Sequence, residues 1–251
     1  TRHLSNRISP ARTNFINELA DYIFTTGESV REDMIKYNRI KPELIQSIPT
    51  GIDVDLFDPV LYDKEVCRQQ FDLQEDEVAI GIIAVLRQFK RHDLFLEMAR
   101  LLVDSYPDKK LVFLLAGDGP QKDNIVSLID QLELTSKVRM LGHVGQVPEL
   151  LTALDAFVLS SDSKEGVPQS VMQALLMNKS VVATNSGSTR DLLNGDNFQL
   201  IETGSVSALV DAISFYLDGN NINYDRSFIV NHYSKTVMSK KIVHLYHVLL
   251  A

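Results

Sequence analysis

The sequence predicts an α/β chain, a doubly wound parallel sheet preceded by part of a second α/β unit. Three observations predict it. From Val78 onward, short runs rich in branched residues alternate with stretches of helical periodicity. Strands separated by helices of such lengths connect as parallel crossovers. The 251 residues are 45% hydrophobic and 23% charged, an ordinary globular composition that fits one large core or about one and a half typical ones.

The first sixty residues differ from the rest. "DYIFTTG" and "LIQSIPTG" read as two strands around a helix, which Ser29 and Glu32 open at capping-box spacing. Two strands and a helix make too small a core to stand alone, so they read as the last part of a preceding domain. The chain opens on Thr1 and its first methionine is Met34, so a piece of a longer chain is expected. "DVDLFDPVLYD", rich in Asp and Pro, reads as a linker.

"VAIGIIAVL" (Val78 to Leu86) is a buried first strand by its length and branched residues. "RHDLFLEMARLLVDSY" places Leu94, Phe95, Met98, Leu101 and Leu102 on one helical face. "KLVFLLAG" is the second strand, ended by the turn Gly117-Asp118-Gly119-Pro120, and a polar helix from Gln121 to Leu132 follows. "KVRMLGHV" is the third, followed by a short helix from Pro148 to Leu154. "DAFVLSS", "SVVATN" and "FQLIET" are the fourth to sixth, before a helix from Ser205 to Leu217. The tail from Ser234 to Leu250 carries Val237, Met238, Ile242, Leu245, Tyr246 and Leu249 at helical spacing and predicts a closing helix that packs on something.

Composition excludes several function classes. A net charge of −8 argues against a general nucleic-acid binder, which needs a basic face, while leaving room for a local basic pocket. The single cysteine, Cys67, makes no internal disulfide and suits a reducing compartment; it reads as a packed or surface thiol. "VAIGIIAVL" falls far short of the ~20 apolar residues that span a bilayer, and no signal-peptide pattern stands at the present N-terminus. After the first strand, "AVLRQFKRHD" holds no glycine fingerprint, which counts against a dinucleotide-dependent oxidoreductase.

Ligands of doubly wound sheets bind beyond the carboxyl ends of the strands, and four loops there carry chemistry. "LRQFKRHD" sets Arg87, Lys90, Arg91 and His92 at a strand-to-helix junction, which suits a diphosphate or reads as a solvated basic helix start. In "AGDGP", Gly117 and Gly119 allow close backbone approach and Pro120 suits a first helical turn. In "LGHVG", Gly142 lets a flat ring or ribose lie near the backbone, and His143 reads as a surface histidine more readily than a catalyst. In "SDSKEGVPQSVMQALL", Glu165 precedes a helix N-terminus that can bind phosphate or sugar hydroxyls. Gln173 lies eight residues on, about 12 Å at helical rise. The two hold opposite ends of one extended ligand, or else Glu165 is a helix-dipole partner and Gln173 a solvated side chain.

Four pieces in order, "IPTGIDVDLFDP", "LRQFKRHD", "AGDGPQ" and "EGVPQSVMQALLMNKSVVATNSG", resemble the retaining glycosyltransferases of family 4, which have the GT-B fold. The resemblance implies two Rossmann-like domains facing across a cleft. Residues 1–58 correspond to the end of the acceptor domain and linker, 59–232 to the nucleotide-sugar donor domain, and 233–251 to the closing helix that braces the missing N-terminal domain. It implies that Arg87 and Lys90 bind the donor diphosphate and that Gly117, Asp118, Gly119 and Pro120 lie beside the nucleotide. Gly142, His143 and Val144 fall near the base. Glu165 lies against the donor sugar, with the backbone of Gly166, Val167, Pro168 and Gln169 on the sugar or its phosphates. Gln173 stands where a second glutamate normally holds the ribose.

Two smaller departures are Arg91, where glycine usually follows the lysine, and Ser188, where a second glycine is common. The resemblance further implies hexosyl transfer with retention, no bound metal or cofactor, and a glycan, lipid-linked or small-molecule acceptor. It points to cell-surface polysaccharide or lipopolysaccharide synthesis at a cytoplasmic location, with peripheral contact to the membrane. Weak or absent activity is expected of this piece alone. The competing expectation is a non-catalytic relative that binds nucleotide or packs against a partner.

Overall fold

The computed structural model describes residues 2–4 (as backbone only), 20–162, 165–195, 198–222 and 224–250. A small parallel sheet pairs β1 (Arg2–Leu4), β2 (Ile23–Thr25) and β3 (Ile45–Ser47) in that order, with α1 (Glu28–Asn38) connecting the last two. The sequence predicts β2 and β3; the three-residue β1 carries too short a pattern to find. A six-stranded parallel sheet follows, ordered β6-β5-β4-β7-β8-β9. Its strands are β4 (Glu77–Ile83), β5 (Lys110–Ala116), β6 (Val138–Gly142), β7 (Ala156–Leu159), β8 (Ser180–Thr184) and β9 (Gln199–Ile201). All six fall within the runs predicted for them or one residue outside.

Helices cover both faces of this sheet, and the strands show why. Ala79, Val112, Leu114, Phe157, Leu159 and Val181 face one side. They pack on Cys67 of α2 (Lys64–Gln70), Leu150 of α5 (Val147–Ala153), Val171 and Leu175 of α6 (Gln169–Leu176) and Ile229 of α8 (Ser227–Tyr233). The alternate residues Ile80, Ile82, Phe113, Leu115, Val158 and Val182 face the other side. There they meet Phe95 and Leu102 of α3 (His92–Ser105), Ile125 of α4 (Lys122–Gln131) and Leu209 of α7 (Val206–Leu217). Strand period two thus splits continuous apolar runs into two cores, the pattern of a parallel sheet buried on both sides. Leu101, expected on the buried face of α3, is exposed because it sits just beyond the edge of the apolar stripe.

The strand order turns back on itself at β4, whose neighbours are β5 on one side and β7 on the other. At such a switch point the loops after the two strands diverge to opposite faces and leave a crevice between them. The "LRQFK" loop leaves β4 and the Glu165 loop leaves β7, so both predicted ligand loops flank this crevice.

The linker and the tail tie the two sheets together. Ile52 donates to the Tyr233 carbonyl at 2.8 Å and accepts from the Lys235 amide at 2.9 Å, while Lys235 pairs with Asp53 and Arg226 with Asp58. The closing helix α9 (Lys235–Leu250) then returns to the small sheet, where Met238, Ile242 and Leu245 pack on Phe24, Ile48 and Tyr22. Tyr246 and Leu249, expected on that buried stripe, are exposed.

The capping box at Ser29 and Glu32 does not form. Gly27 is the N-cap of α1 and offers no side chain. The orphan amides are satisfied from the large-sheet unit instead: Glu28 N–H donates to Asp191 Oδ2 at 3.1 Å and Ser29 N–H to Ser188 Oγ at 3.0 Å. A Cβ on Gly27 would lie 2.2 Å from Ser188 Oγ, so the approach requires glycine there. Ser188 and Asp191 win over the local partner because they already stand at the helix mouth, at the start of a 3₁₀ turn after β8. Ser188→Ala and Asp191→Ala each lower the unfolding free energy by about 1 kcal/mol in urea denaturation. Glu32→Ala changes it by less than about 0.5 kcal/mol.

Candidate functional site

The floor of the crevice is set by backbone packing between the loops after β4 and β5. Leu86 N–H donates to the Asp118 carbonyl and Gln121 N–H to the Leu86 carbonyl, both at 3.0 Å. Gly117 (φ +147°) and Gly119 (φ +153°) make this possible: a Cβ would stand 1.9 Å from the Ala84 oxygen at Gly117 and 2.8 Å from the Leu86 oxygen at Gly119. The close approach expected of these glycines is therefore to the neighbouring loop of the chain itself. Gly142 ends β6 and accepts from Gly117 N–H at 2.7 Å. Pro120, expected in the first helical turn, lies in the turn two residues before α4, because the Gly119 carbonyl is taken by Lys122 N–H.

The opposite wall is the Glu165 loop and the start of α6. Gly187, at φ +55°, brings its α-carbon against Glu165; a Cβ there would lie 1.9 Å from the Glu165 oxygen. Gly166 is pressed on Thr26, with room for no side chain, since its Cβ would fall 2.3 Å from Thr26 Oγ1. Val167 N–H donates to the Thr26 carbonyl at 3.0 Å and Gln169 Nε2 to the Thr50 carbonyl at 2.7 Å. The small sheet thus supplies part of the wall. Thr26 and Thr50, just past the ends of β2 and β3, were not singled out from the sequence; the carboxyl-edge rule applied to the small sheet would have found them.

Between these walls lies a cleft of about 610 Å³, within the range of small-molecule sites. Lys90, Gly117, Asp118, His143, Val144, Glu165, Gly166, Val167, Pro168, Gln169 and Gln173 all line it. Residues from four separate predicted loops therefore meet in one place. Gly119, Pro120 and Gly142 are not among its lining residues. His143 is exposed, as expected of a surface histidine.

At the centre, Lys90 Nζ forms an ion pair and hydrogen bond with Glu165 Oε1, the two side chains 13% and 9% exposed. Ser161 Oγ donates to the same carboxylate oxygen at 2.6 Å. Ser160 Oγ reaches the carbonyls of Lys90 and Arg91 at 3.0 and 2.9 Å. An ammonium has three donors and one carboxylate takes one, so Lys90 keeps capacity for an anion in the cleft.

Arg87 does not join Lys90. It lines a separate cavity of about 570 Å³ with Phe89, Arg91, Gln121 and Asp162, on the α3–α4 side of the loop. The three-residue spacing from Arg87 to Lys90 spans one 3₁₀ turn, Gln88–Lys90, and puts Arg87 just ahead of it as its exposed N-cap. Arg91 sits at φ +50°, the left-handed conformation that glycine adopts without cost; Asp93 holds its guanidinium through contacts at 2.8 to 3.1 Å. Ser188, the other position where glycine is common, has φ −98° and needs none.

His92, at the first position of α3, is 3% exposed and its Nε2 has no hydrogen-bond partner among the described residues. Burial, and next the Lys90 charge, push its pKa from 6.5 down to about 4. The unfolded chain therefore binds a proton that the folded chain refuses between those values, and stability falls as pH drops from 6.5 towards 4. The loss reaches about 3 kcal/mol, since each tenfold difference in proton affinity between the two states is worth roughly 1.4 kcal/mol. His92→Gln flattens the stability profile over this window by that amount relative to the parent, while carboxylate titration, common to both, cancels in the difference.

The family description "Glycosyl transferases group 1" matches residues 63–235. The UDP-Gal:alpha-D-GlcNAc-diphosphoundecaprenol alpha-1,3-galactosyltransferase of Escherichia coli is 25% identical over 223 residues, 86% of this chain and 57% of that protein. The N-acetyl-alpha-D-glucosaminyl L-malate synthase of Bacillus anthracis is 26% identical over 208 residues, 80% of this chain and 52% of that one. The chain spans about half the length of these curated relatives. Among solved structures, Anabaena Alr3699/HepE in complex with UDP-glucose superposes with a TM-score of 0.86 at 19% identity, over 98% of this chain and 71% of that one. The residues matched by the family contain the whole six-stranded sheet and every lining residue of the cleft except Thr26 and Thr50, and the chain accordingly belongs to the group 1 glycosyl transferases and has the GT-B type of fold.

Proposed function

We propose that this chain binds a nucleotide-diphosphate sugar and supplies the donor half of a retaining, family 4 hexosyltransferase. The observation that carries the reading is the Lys90–Glu165 pair, set at the switch-point crevice where four loops converge. Lys90 takes the diphosphate, and the N–H groups at the start of α6 add partial positive charge beside it. Charge builds on the leaving phosphate as the glycosidic bond breaks, and both groups stabilise it. Glu165 accepts from the donor sugar's hydroxyls, and the Asp118, His143 and Val144 side of the cleft takes the nucleoside. No metal or cofactor has a role in this reading.

The relatives' names support a nucleotide donor and a glycan-building context: UDP-galactose and a diphosphoundecaprenol acceptor in one, and UDP-glucose bound in HepE. The acceptor here is a glycan, a lipid-linked sugar or a small molecule, delivered from the N-terminal domain of a longer protein. Work at the cytoplasmic face of a membrane, by peripheral contact, belongs to the same reading; among the described residues no helix is long and apolar enough to cross one. Arg87 serves as the outer cation, turning in from its neighbouring cavity.

Titration calorimetry with UDP, GDP and ADP, without magnesium, tests the donor site. Lys90→Ala weakens the diphosphate that binds by about tenfold or more, in line with one lost charge-assisted contact, and leaves the matching nucleoside within about twofold. Arg87→Ala has the smaller effect. Equal losses for diphosphate and nucleoside would sink the assignment. A second reading, a non-catalytic relative, is favoured by Gln173 in place of a second glutamate. Gln173→Glu decides between them: tighter diphosphate binding by about threefold to tenfold marks Gln173 as a ribose contact, and an unchanged affinity favours the second reading.

A further inference from the structure

The tandem Ser160-Ser161 at the end of β7 is not explained by the cleft lining, since neither residue lines it, nor by core packing, since both are polar and fully buried. Each hydroxyl instead reaches one member of the ion pair. Ser160 Oγ bonds the main-chain carbonyls of Lys90 and Arg91, which fixes the backbone that carries the cation. Ser161 Oγ donates to Glu165 Oε1, the oxygen that Lys90 also holds. Thr184 Oγ1 in turn donates to the Leu159 carbonyl, and also to the carbonyl of Ser161, pinning the serine itself to β8.

The consequence lies in the other oxygen. With two donors on Oε1, the carboxylate plane is set. Oε2 has no hydrogen bond among the described residues and is not among the buried orphan atoms, on a side chain that lines the cleft.

We propose that Ser160 and Ser161 are positioning residues, Ser160 placing the Lys90 cation and Ser161 turning Glu165 so that Oε2 alone is offered to a sugar hydroxyl. This rests on the donor-site reading above. It separates two functions along the chain: Ser160 acts on the diphosphate, and Ser161 acts on the sugar.

The two serines are distinguished by titrating the parent, Ser160→Ala and Ser161→Ala with UDP and with UDP-glucose. Ser161→Ala weakens UDP-glucose about tenfold and UDP less than about twofold. Ser160→Ala weakens both by the same factor. Equal losses on the two ligands in Ser161→Ala, or a loss confined to UDP-glucose in Ser160→Ala, overturn the proposal, and thermal unfolding of each variant excludes a folding defect. Crystals of unliganded Ser161→Ala supply a readout independent of binding. The Glu165 carboxylate turns from its parent orientation there if Ser161 sets it, and an unmoved carboxylate overturns the proposal. Should the parent bind neither nucleotide, the donor-site reading for these probes fails, while the crystal comparison still decides the role of Ser161.

Discussion

The cleft depends on one buried ion pair. Lys90 and Glu165 come from loops on opposite sides of the switch point, and their contact bridges the crevice between β4 and β7. Withdrawing two charges from water costs several kcal/mol per ion, and the pair recovers this only with good geometry and further hydrogen bonds. Ser161 supplies one such bond. The pair is therefore a poor source of stability and a good source of definition. It holds a cation and an anion a few ångströms apart, ready for a ligand that carries both phosphate and hydroxyl groups. Its loss would leave an unpaired charge in the cleft wall, and the loops after β4 and β7 would keep the Ser160 hydrogen bonds to the Lys90 and Arg91 carbonyls and the longer Arg91–Asp162 ion pair at 3.9 Å.

Around that pair, glycine does the shaping. Gly117, Gly166 and Gly187 each stand where a single added carbon would meet another backbone or side chain within 2.3 Å. None of the three is free to be anything larger without moving a wall of the cleft. The position after Lys90 shows the alternative solution: Arg91 accepts the left-handed conformation and offsets its strain with a guanidinium–carboxylate clamp to Asp93. A departure from the usual residue thus leaves the local backbone path intact.

Much of this was legible in the sequence because its cause is local. The six strands of the large sheet follow from short branched runs, and their convergence on one edge follows from the βα alternation. Many of the residues that line the cleft, Lys90, Gly117, His143 and Glu165 among them, were found by asking which loops leave the carboxyl ends. What escaped was set by contacts between distant segments. Ser29 and Glu32 satisfy the capping pattern, yet Ser188 and Asp191, some 160 residues on, occupy the helix mouth instead. Thr26 and Thr50 carry no motif and join the site only because the small sheet abuts it. Arg87 and Lys90 look like one cationic cluster in the sequence, but Arg87 stands in extended backbone ahead of the 3₁₀ turn that carries Lys90, and the two line different cavities. Tyr246 and Leu249 share helical spacing with Leu245, and nothing local tells which part of that stripe the rest of the chain covers.

The cap of α1 has a further consequence. Its first two amides are answered by side chains of the other unit, and the Val167 amide is answered by Thr26 in return. The helix start, the Glu165 loop and the relative placement of the two sheets therefore form one thermodynamic cycle. A ligand that binds more tightly when the sheets are docked favours the docked arrangement by that same factor, and parting the sheets weakens it correspondingly. Occupancy of the cleft and the seating of the two units are linked through these three contacts.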